Sequence, residues 1–516
     1  MTMPSVALAY NRLTFGAKHG DPAAPTPLTL NAWLSAQLTE AATDTPAVTE
    51  SLVNVRLKFV GQDPTTGDPL PPQMLPLTWL NADEAALWAN FRTAGKDYAQ
   101  TQRPGAEIQA ASYIRAAQSP NQLAEQMVEF WHSHFNVQVN SSEQAGSTYP
   151  AFDAVLRANA LGNFRSMLGA VAKSAAMMFY LNQVQSTGKA PNENYAREVM
   201  ELHTLGIQRY LGLTTPPNEV GTGYSDTDVK QGALILSGWT IDYETGAFVF
   251  RAGEHASGAK VYLGHTIPAS GQAEGELLFD IPANHPGTAN TIATKLYKRF
   301  VGDTPPANSA AVAAMSQAFL ANLQAPNQIA LVLQALILSP EFAASSGAKF
   351  KTPFEFVVSL LRVAGLPINP TATLNFLLSQ MGDPRFAWVP PNGRPDVSGP
   401  WMSNGSLLER WRAAETIMGV AAEILPGDLT GIFDVLQRVR PGGPIELTNA
   451  AQAVDRVVDV MIPNAGQTTR AALLAFASTP EILGTPGTFT NATRLRVALG
   501  RLVATAAATS EFQFRG

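Results

Sequence analysis

Two alanine-rich stretches, residues 151–176 and 311–338, are long and apolar enough at helical spacing to commit much of this chain to α-helix. Segments of the same period recur at 30–38, 82–93, 106–117, 121–135, 163–182, 226–238, 288–301, 353–364, 371–381, 406–425, 449–462, 468–477 and 491–508. The 40 glycines and 37 prolines predict irregular loops between them, among them 63–76, 140–148, 382–404 and part of 426–444. Gly16 and Gly365 are expected helix stops, and Asp226 an expected N-cap. Residues 53–60 alternate apolar and polar and read as an isolated strand. Residues 243–251 and 261–264 read as further strands. The expected fold class is therefore mainly α: a large multi-helix domain with long loops and a small β excursion. Its expected regions are an N-terminal helical and irregular part (1–118), a helical core with the candidate site (119–345) and a C-terminal helical part (346–516), packed as one compact unit.

Several function classes are excluded at this level. Net charge is −6 with no basic block, so the footprint of a nucleic-acid binder is missing. The longest apolar runs are too short to span a membrane. With no cysteine among 516 residues, disulfides, thiolate catalysis and cysteine-based zinc sites are ruled out. Residues 1–14 lack a basic region ahead of their short apolar patch, so no signal peptide is expected there. The compartment stays open.

Only 15% of the chain is charged, yet residues 191–209 carry Glu193, Arg197, Glu198, Glu201, His203 and Arg209. On a helix over 193–205, Glu198 and Glu201 lie about 60° apart and can converge on one point. Arg197 braces a Glu193–Arg197–Glu201 ladder, and His203 faces the apolar side. Such a group is either a solvated ion-pair ladder with a core histidine or a pair of working carboxylates.

A second cluster is Phe130-Trp-His-Ser-His-Phe135, where Glu125, Glu129 and His132 share one face and His134 lies on the apolar one. Glu129 and His132 have the spacing used on carboxylate-bridged metal helices, although buried hydrogen-bonding histidines look the same. His255, Lys260 and His265 form a third group without a preferred reading. Trp388, Trp401 and Trp411 with Arg385, Arg394 and Arg410 either line an aromatic cleft for a sugar or planar ligand or pin a long loop.

These motifs occur in an order with a precedent. Residues 11–16, 130–135, Asn-Glu-Asn-Tyr-Ala-Arg-Glu within 192–206, 224–239, His255…Lys260…Leu263-Gly264, Lys295-Leu-Tyr and Lys351-Thr-Pro-Phe-Glu-Phe-Val resemble the large bacterial family catalogued as domain of unknown function 1800. The resemblance runs from about Asn11 to the end of the chain. It implies a mostly helical, commonly exported protein without an agreed activity. It also places His132, His134, Glu193, Arg197, Glu198, Glu201 and His203 on the family's signature. Two features depart from the pattern: His255-Ala256 stands where the family shows His-Asp, and no export signal begins this chain.

Three functions are expected to compete. The first is a hydrolase of a small molecule or saccharide, with Glu198, Glu201, Arg197 and His132 catalytic. In that reading a divalent metal (zinc, manganese or iron) would sit on His132, His134, Glu198, Glu201 and His203. The second is a di-metal carboxylate redox enzyme using Glu129, His132, Glu198 and Glu201. The third is a non-catalytic scaffold or binding protein around a buried polar network.

Overall fold

The computed structural model describes residues 2–16, 18, 25–63, 65–95, 97–364, 372–424 and 447–515. Helices take up 58% of the chain, and the sheets among the described residues are two-stranded and antiparallel, so the class is mainly α with small β excursions. Many helix starts are set by the side chain just before them. Ser5, Asp83, Asp97, Ser142, Asn163, Ser309, Asn449 and Asn491 each accept a hydrogen bond from a first-turn amide.

The helix Gln122–His134 runs through the centre, and every residue of it except Ser133 is buried. Around it, Tyr98–Gln118 packs along Glu143–Ala158, and Pro286–Phe300, Ala310–Ala321 and Gln328–Ile337 pack against one another. Their apolar faces form one large core that reaches from Leu8 to Phe342. A second core joins Phe15 and Tyr113 to residues between Phe354 and Phe512, under Asn404–Ile424, Ala450–Met461 and Ala492–Ala507.

Several expectations change against this framework. The strand foreseen at 53–60 is shorter, Arg56–Phe59, and is not isolated: it pairs with Gln73–Pro76, inside the expected loop at 63–76. Residues 140–148 are largely helical, because Ser142 caps a helix that starts at Glu143 and carries Pro150 within it. Ser225, not Asp226, caps the next helix, with Asp228 closing a capping box. The 163–182 segment breaks at Ser174. A helix at Gln272–Ala283 has no counterpart in the periodicity reading, since Gly275 and Pro282 interrupt its pattern. Two hairpins, Trp239–Ile241 with Phe248–Phe250 and Lys260–Tyr262 with His265–Ile267, make the β excursion after residue 238. Gly365 and 426–444 lie outside the described residues.

Charged residues knit the two cores together. Arg12 is fully buried, and its guanidinium donates to the carbonyls of Phe300 and Val301 at 2.9 Å, Ser345 at 2.5 Å and Arg515 at 3.0 Å. The Glu355 carboxylate receives Arg299 at 2.9 Å and Arg515 at 2.8 Å. The Arg12→Met variant keeps the bulk but orphans these carbonyls, so we expect a loss of about 3 kcal/mol or more of unfolding free energy, read by denaturant titration. Wild-type stability would show that the carbonyl contacts contribute nothing.

Candidate active site

The expected helix over 193–205 does not persist. It is α-helical only from Glu193 to Glu198, then widens into a π-turn over Val199–His203. Turns of this kind often mark functional sites, because they displace side chains and leave carbonyls to be satisfied from outside. Here the partners come from several elements. Thr204 Oγ1 donates to the Val199 carbonyl at 2.6 Å, and Gly206 N to that of Met200 at 3.0 Å. Lys295 Nζ donates to Leu202 O at 3.0 Å, His134 Nε2 lies 3.1 Å from His203 O, and Thr291 Oγ1 donates to Leu205 O at 2.7 Å. Gly206 follows at φ +89°, a backbone conformation that favours glycine.

His134 thus joins the two motifs. With its Nε2–H on the His203 carbonyl, its Nδ1 is left to accept from Lys295 Nζ at 3.0 Å. Burial, then the Lys295 charge, hold His134 well below its ordinary pKa and lower His203 to about 3, so both rings are neutral. Burial also lowers Lys295 to about 8.

On the other side of the turn, Glu198 and Glu201 are half-buried. Burial first, and the neighbouring Glu201 charge second, push Glu198 up to about 7 against the pull of Arg197. Arg197 is not free to receive a substrate anion: it pairs with Asp226 at 2.9 Å and more loosely with Glu193 at 4.0 Å. Three tyrosines stand around the pair. Tyr180 feels the Glu198 charge, and Tyr224 and Tyr210 feel that of Glu201. The Tyr224 hydroxyl is buried and closes no hydrogen bond of ordinary geometry, although Glu201 is near enough to raise its pKa. Tyr180 donates to Val389 O at 2.9 Å, which brings the edge of the 382–404 loop to the Glu198 side.

His132 belongs elsewhere. The face it shares with Glu125 and Glu129 is buried, and each acidic group on it is matched by an arginine. Glu125 pairs with Arg157 at 2.7 Å, and Glu129 with Arg385 at 2.7 Å and Arg394 at 2.6 Å. Burial opposes the Glu129 charge, but the two arginines prevail and hold it at about 2. His132 Nε2 meets Asp153 at 2.8 Å, and its Nδ1 lies 3.3 Å from the Tyr149 hydroxyl. Arg115 takes the other Asp153 oxygen at 3.2 Å.

These partners correct the expected metal set. His132 and His134 have both ring nitrogens occupied, and Glu129 is saturated by arginine. Among the described residues no three histidine or acidic side chains are grouped to hold a metal ion. The residues present therefore do not fit the zinc, manganese or iron centre proposed on His132, His134, Glu198, Glu201 and His203. Nor do they fit the di-metal set that adds Glu129.

The remaining clusters are structural. His255 and Lys260 converge on Glu274 at 3.1 and 2.7 Å, tying the hairpins to the following helix, while His265 is exposed. Trp388 and Trp401 meet edge to face at 6.3 Å, and Trp401 Nε1 donates to Pro395 O. Gly393 passes so close to Ser133 that a Cβ would strike its carbonyl, which docks the loop on the central helix. The cavity bordered by Trp388, Arg385 and Arg394 is about 20 Å³, room for water but not for a sugar ring. Arg410 is buried and Trp411 is exposed, so neither completes an aromatic cleft. An opening of about 470 Å³ lies instead between residues 41–53, 77–81 and the Arg115–Asp153–Arg157 cluster, whose charges already neutralise one another.

A family model described as protein of unknown function (DUF1800) matches residues 8–514. The chain belongs to this family. No curated protein and no solved structure matches it. The family thus supplies a fold-length relationship and no assigned chemistry, and the site has to be read from its own residues. Tyr180, Thr291, Asp153 and Tyr149 escaped the sequence reading, Asp226 entered it only as an expected N-cap, and Tyr224 and Lys295 were visible only as part of the family pattern.

The raised pKa of Glu198 has a measurable consequence. The folded protein binds a proton there that an exposed glutamate releases near 4.3, so Glu198 costs stability as pH rises from about 4.3 through about 7. We expect Glu198→Gln to raise the melting temperature at pH 8, with the gain shrinking toward pH 5. An equal shift at both pH values would contradict the assignment.

Proposed function

We propose that this protein is a hydrolase whose chemistry is general acid–base catalysis by Glu198 and Glu201. The observation that carries the reading is the pair's environment where the helix passes into the π-turn: burial and the Glu201 charge lift Glu198 to about 7 while Arg197 lies alongside. A carboxyl lifted to near neutrality in this way can supply an acid at neutral pH. Glu198 gives its carboxyl proton to the leaving oxygen of an ester or glycoside, and Glu201 takes a proton from the attacking water. The bond to the leaving oxygen breaks as the bond to water oxygen forms, and solvent exchange resets both carboxyl groups.

The histidine part of the site works from behind: His134 and Lys295 hold the carbonyls of the turn that carries Glu201. Arg197, engaged with Asp226, moderates the carboxylates rather than binding an anionic substrate. The exposed Tyr210 beside Glu201 favours a neutral, hydroxyl-bearing small molecule, a saccharide among them. A non-catalytic scaffold reading draws on the same Arg197–Asp226 ion pair, which would make the charged turn a structural network.

The two readings separate in one experiment. On a panel of aryl esters and aryl glycosides, Glu198→Gln and Glu201→Gln are expected to lower turnover by about 100-fold or more, with circular dichroism unchanged. The wild-type rate should fall as pH rises through about 7, as Glu198 loses its proton. Absence of wild-type turnover on the panel, or full activity in both variants, favours the scaffold.

A further inference from the structure

A second cluster lies away from these carboxylates, where the first helix meets the paired strands Lys349–Phe350 and Phe514–Arg515. Lys351 follows the strand Lys349–Phe350, and its amide donates to Gln513 O at 2.9 Å beside the strand Phe514–Arg515. The residue is only 8% exposed, and among the described residues its ammonium has no hydrogen bond or ion pair. Its near neighbour is the face of the Phe512 ring, 3.8 Å away.

The surroundings are cationic. Among the described residues, Arg12 donates only to carbonyls, and Arg410 only to the Gln513 side chain and the Lys351 carbonyl. Arg515 shares the Glu355 carboxylate with Arg299. Burial is the leading cause that lowers Lys351 to about 7, Arg12 and Arg410 to about 9 and Arg515 to about 10. Arg515 and Arg410 add to the effect on Lys351, and Glu355 opposes it. Among the described residues, the three buried cations Arg12, Arg410 and Lys351 thus have no carboxylate of their own, an expensive arrangement when nothing neutralises it.

A cavity of about 50 Å³ opens on this group, lined by Lys351 and Arg515 with Asn11 and Asn464. A carboxylate also borders it, Glu511, which accepts from Thr469 at 2.6 Å and Ser510 at 2.9 Å. The space suits a few waters or one small oxyanion and is too small for a nucleotide. We propose that the cavity walled by Lys351, Arg515, Asn11 and Asn464 binds a small oxyanion, a phosphate or carboxylate group, whose charge completes the cationic core. The Lys351 ammonium supplies the directional donor to its oxygens, Arg515, turned inward to Glu355 and to the Arg299 and Arg12 carbonyls, adds positive charge to the wall, and the asparagine amides stand at its mouth. This site is independent of Glu198 and Glu201.

Isothermal titration of the full-length protein with sodium phosphate and with sodium acetate, each against sodium chloride at equal ionic strength, tests the proposal. Saturable binding of at least one is expected, with a matching rise in melting temperature. Phosphate alone identifies a phosphate site, acetate alone a carboxylate site, and both the shared chemistry. Lys351→Met should weaken binding at least tenfold. Asn464→Asp, which adds a negative charge at the exposed mouth and spares the core, should do the same. No saturable heat from either anion with the wild type overturns the site, as does wild-type affinity in Asn464→Asp or in folded Lys351→Met.

Discussion

The Glu355 carboxylate is the constraint on which the assembly of this chain depends. It is nearly inaccessible to solvent and receives Arg299 and Arg515 on one oxygen and the Thr352 amide on the other. Arg12, on the first helix, reaches the carbonyls beside Arg299 and that of Arg515 itself. One acidic side chain thereby fixes the relation between the first helix, the helix Pro286–Phe300, the helix Pro353–Ala364 and the terminal strand. Apolar packing would tolerate sliding between helices; a buried charge with fixed donors does not, because each lost partner leaves an uncompensated ion. The same principle recurs at Glu129, where Arg385 and Arg394 anchor the 382–404 loop to the central helix.

The candidate active site uses the opposite arrangement. At its back, His134, Lys295 and Thr291 hydrogen-bond the carbonyls of His203, Leu202 and Leu205. Its front leaves Glu198 and Glu201 half-buried and only partly compensated by an Arg197 already engaged with Asp226. Two carboxylates held where the helix meets the π-turn would need little reorganisation as charge moves, which is the physical basis of the acid–base chemistry proposed for them. The cationic pocket at Lys351 is a third arrangement, in which charge of one sign accumulates beside space that a small anion can fill.

Local pattern was readable wherever it was periodic. The helices Leu30–Thr39, Gln122–His134 and Gln467–Ala477 follow the apolar spacing almost to the residue. It misled at Glu143–Ala158, where Gly146 and Pro150 look like loop residues; the Gln102 side-chain amide of the neighbouring helix packs where a Cβ of residue 146 would stand. At the site, helical geometry foretold that Glu198 and Glu201 share a side. It also foretold that His203 faces inward, and the buried ring confirms that orientation. The π-turn itself could not be foretold, since its cause is a set of acceptor–donor matches to residues 134, 291 and 295.

By itself the sequence determined the mainly helical class, the family, and the unusual concentration of charge around Glu198 and Glu201. Those properties arise from residue type and short-range spacing, which are present in the chain before it folds. Only the tertiary structure decided that His134 and not His132 meets the charged turn, that Asp226 and not Glu201 takes Arg197, and that arginines saturate Glu129. The reason is physical: a buried polar group must be paired, and its partner comes from whichever distant segment packing brings within 3 Å, a relation that no local period encodes.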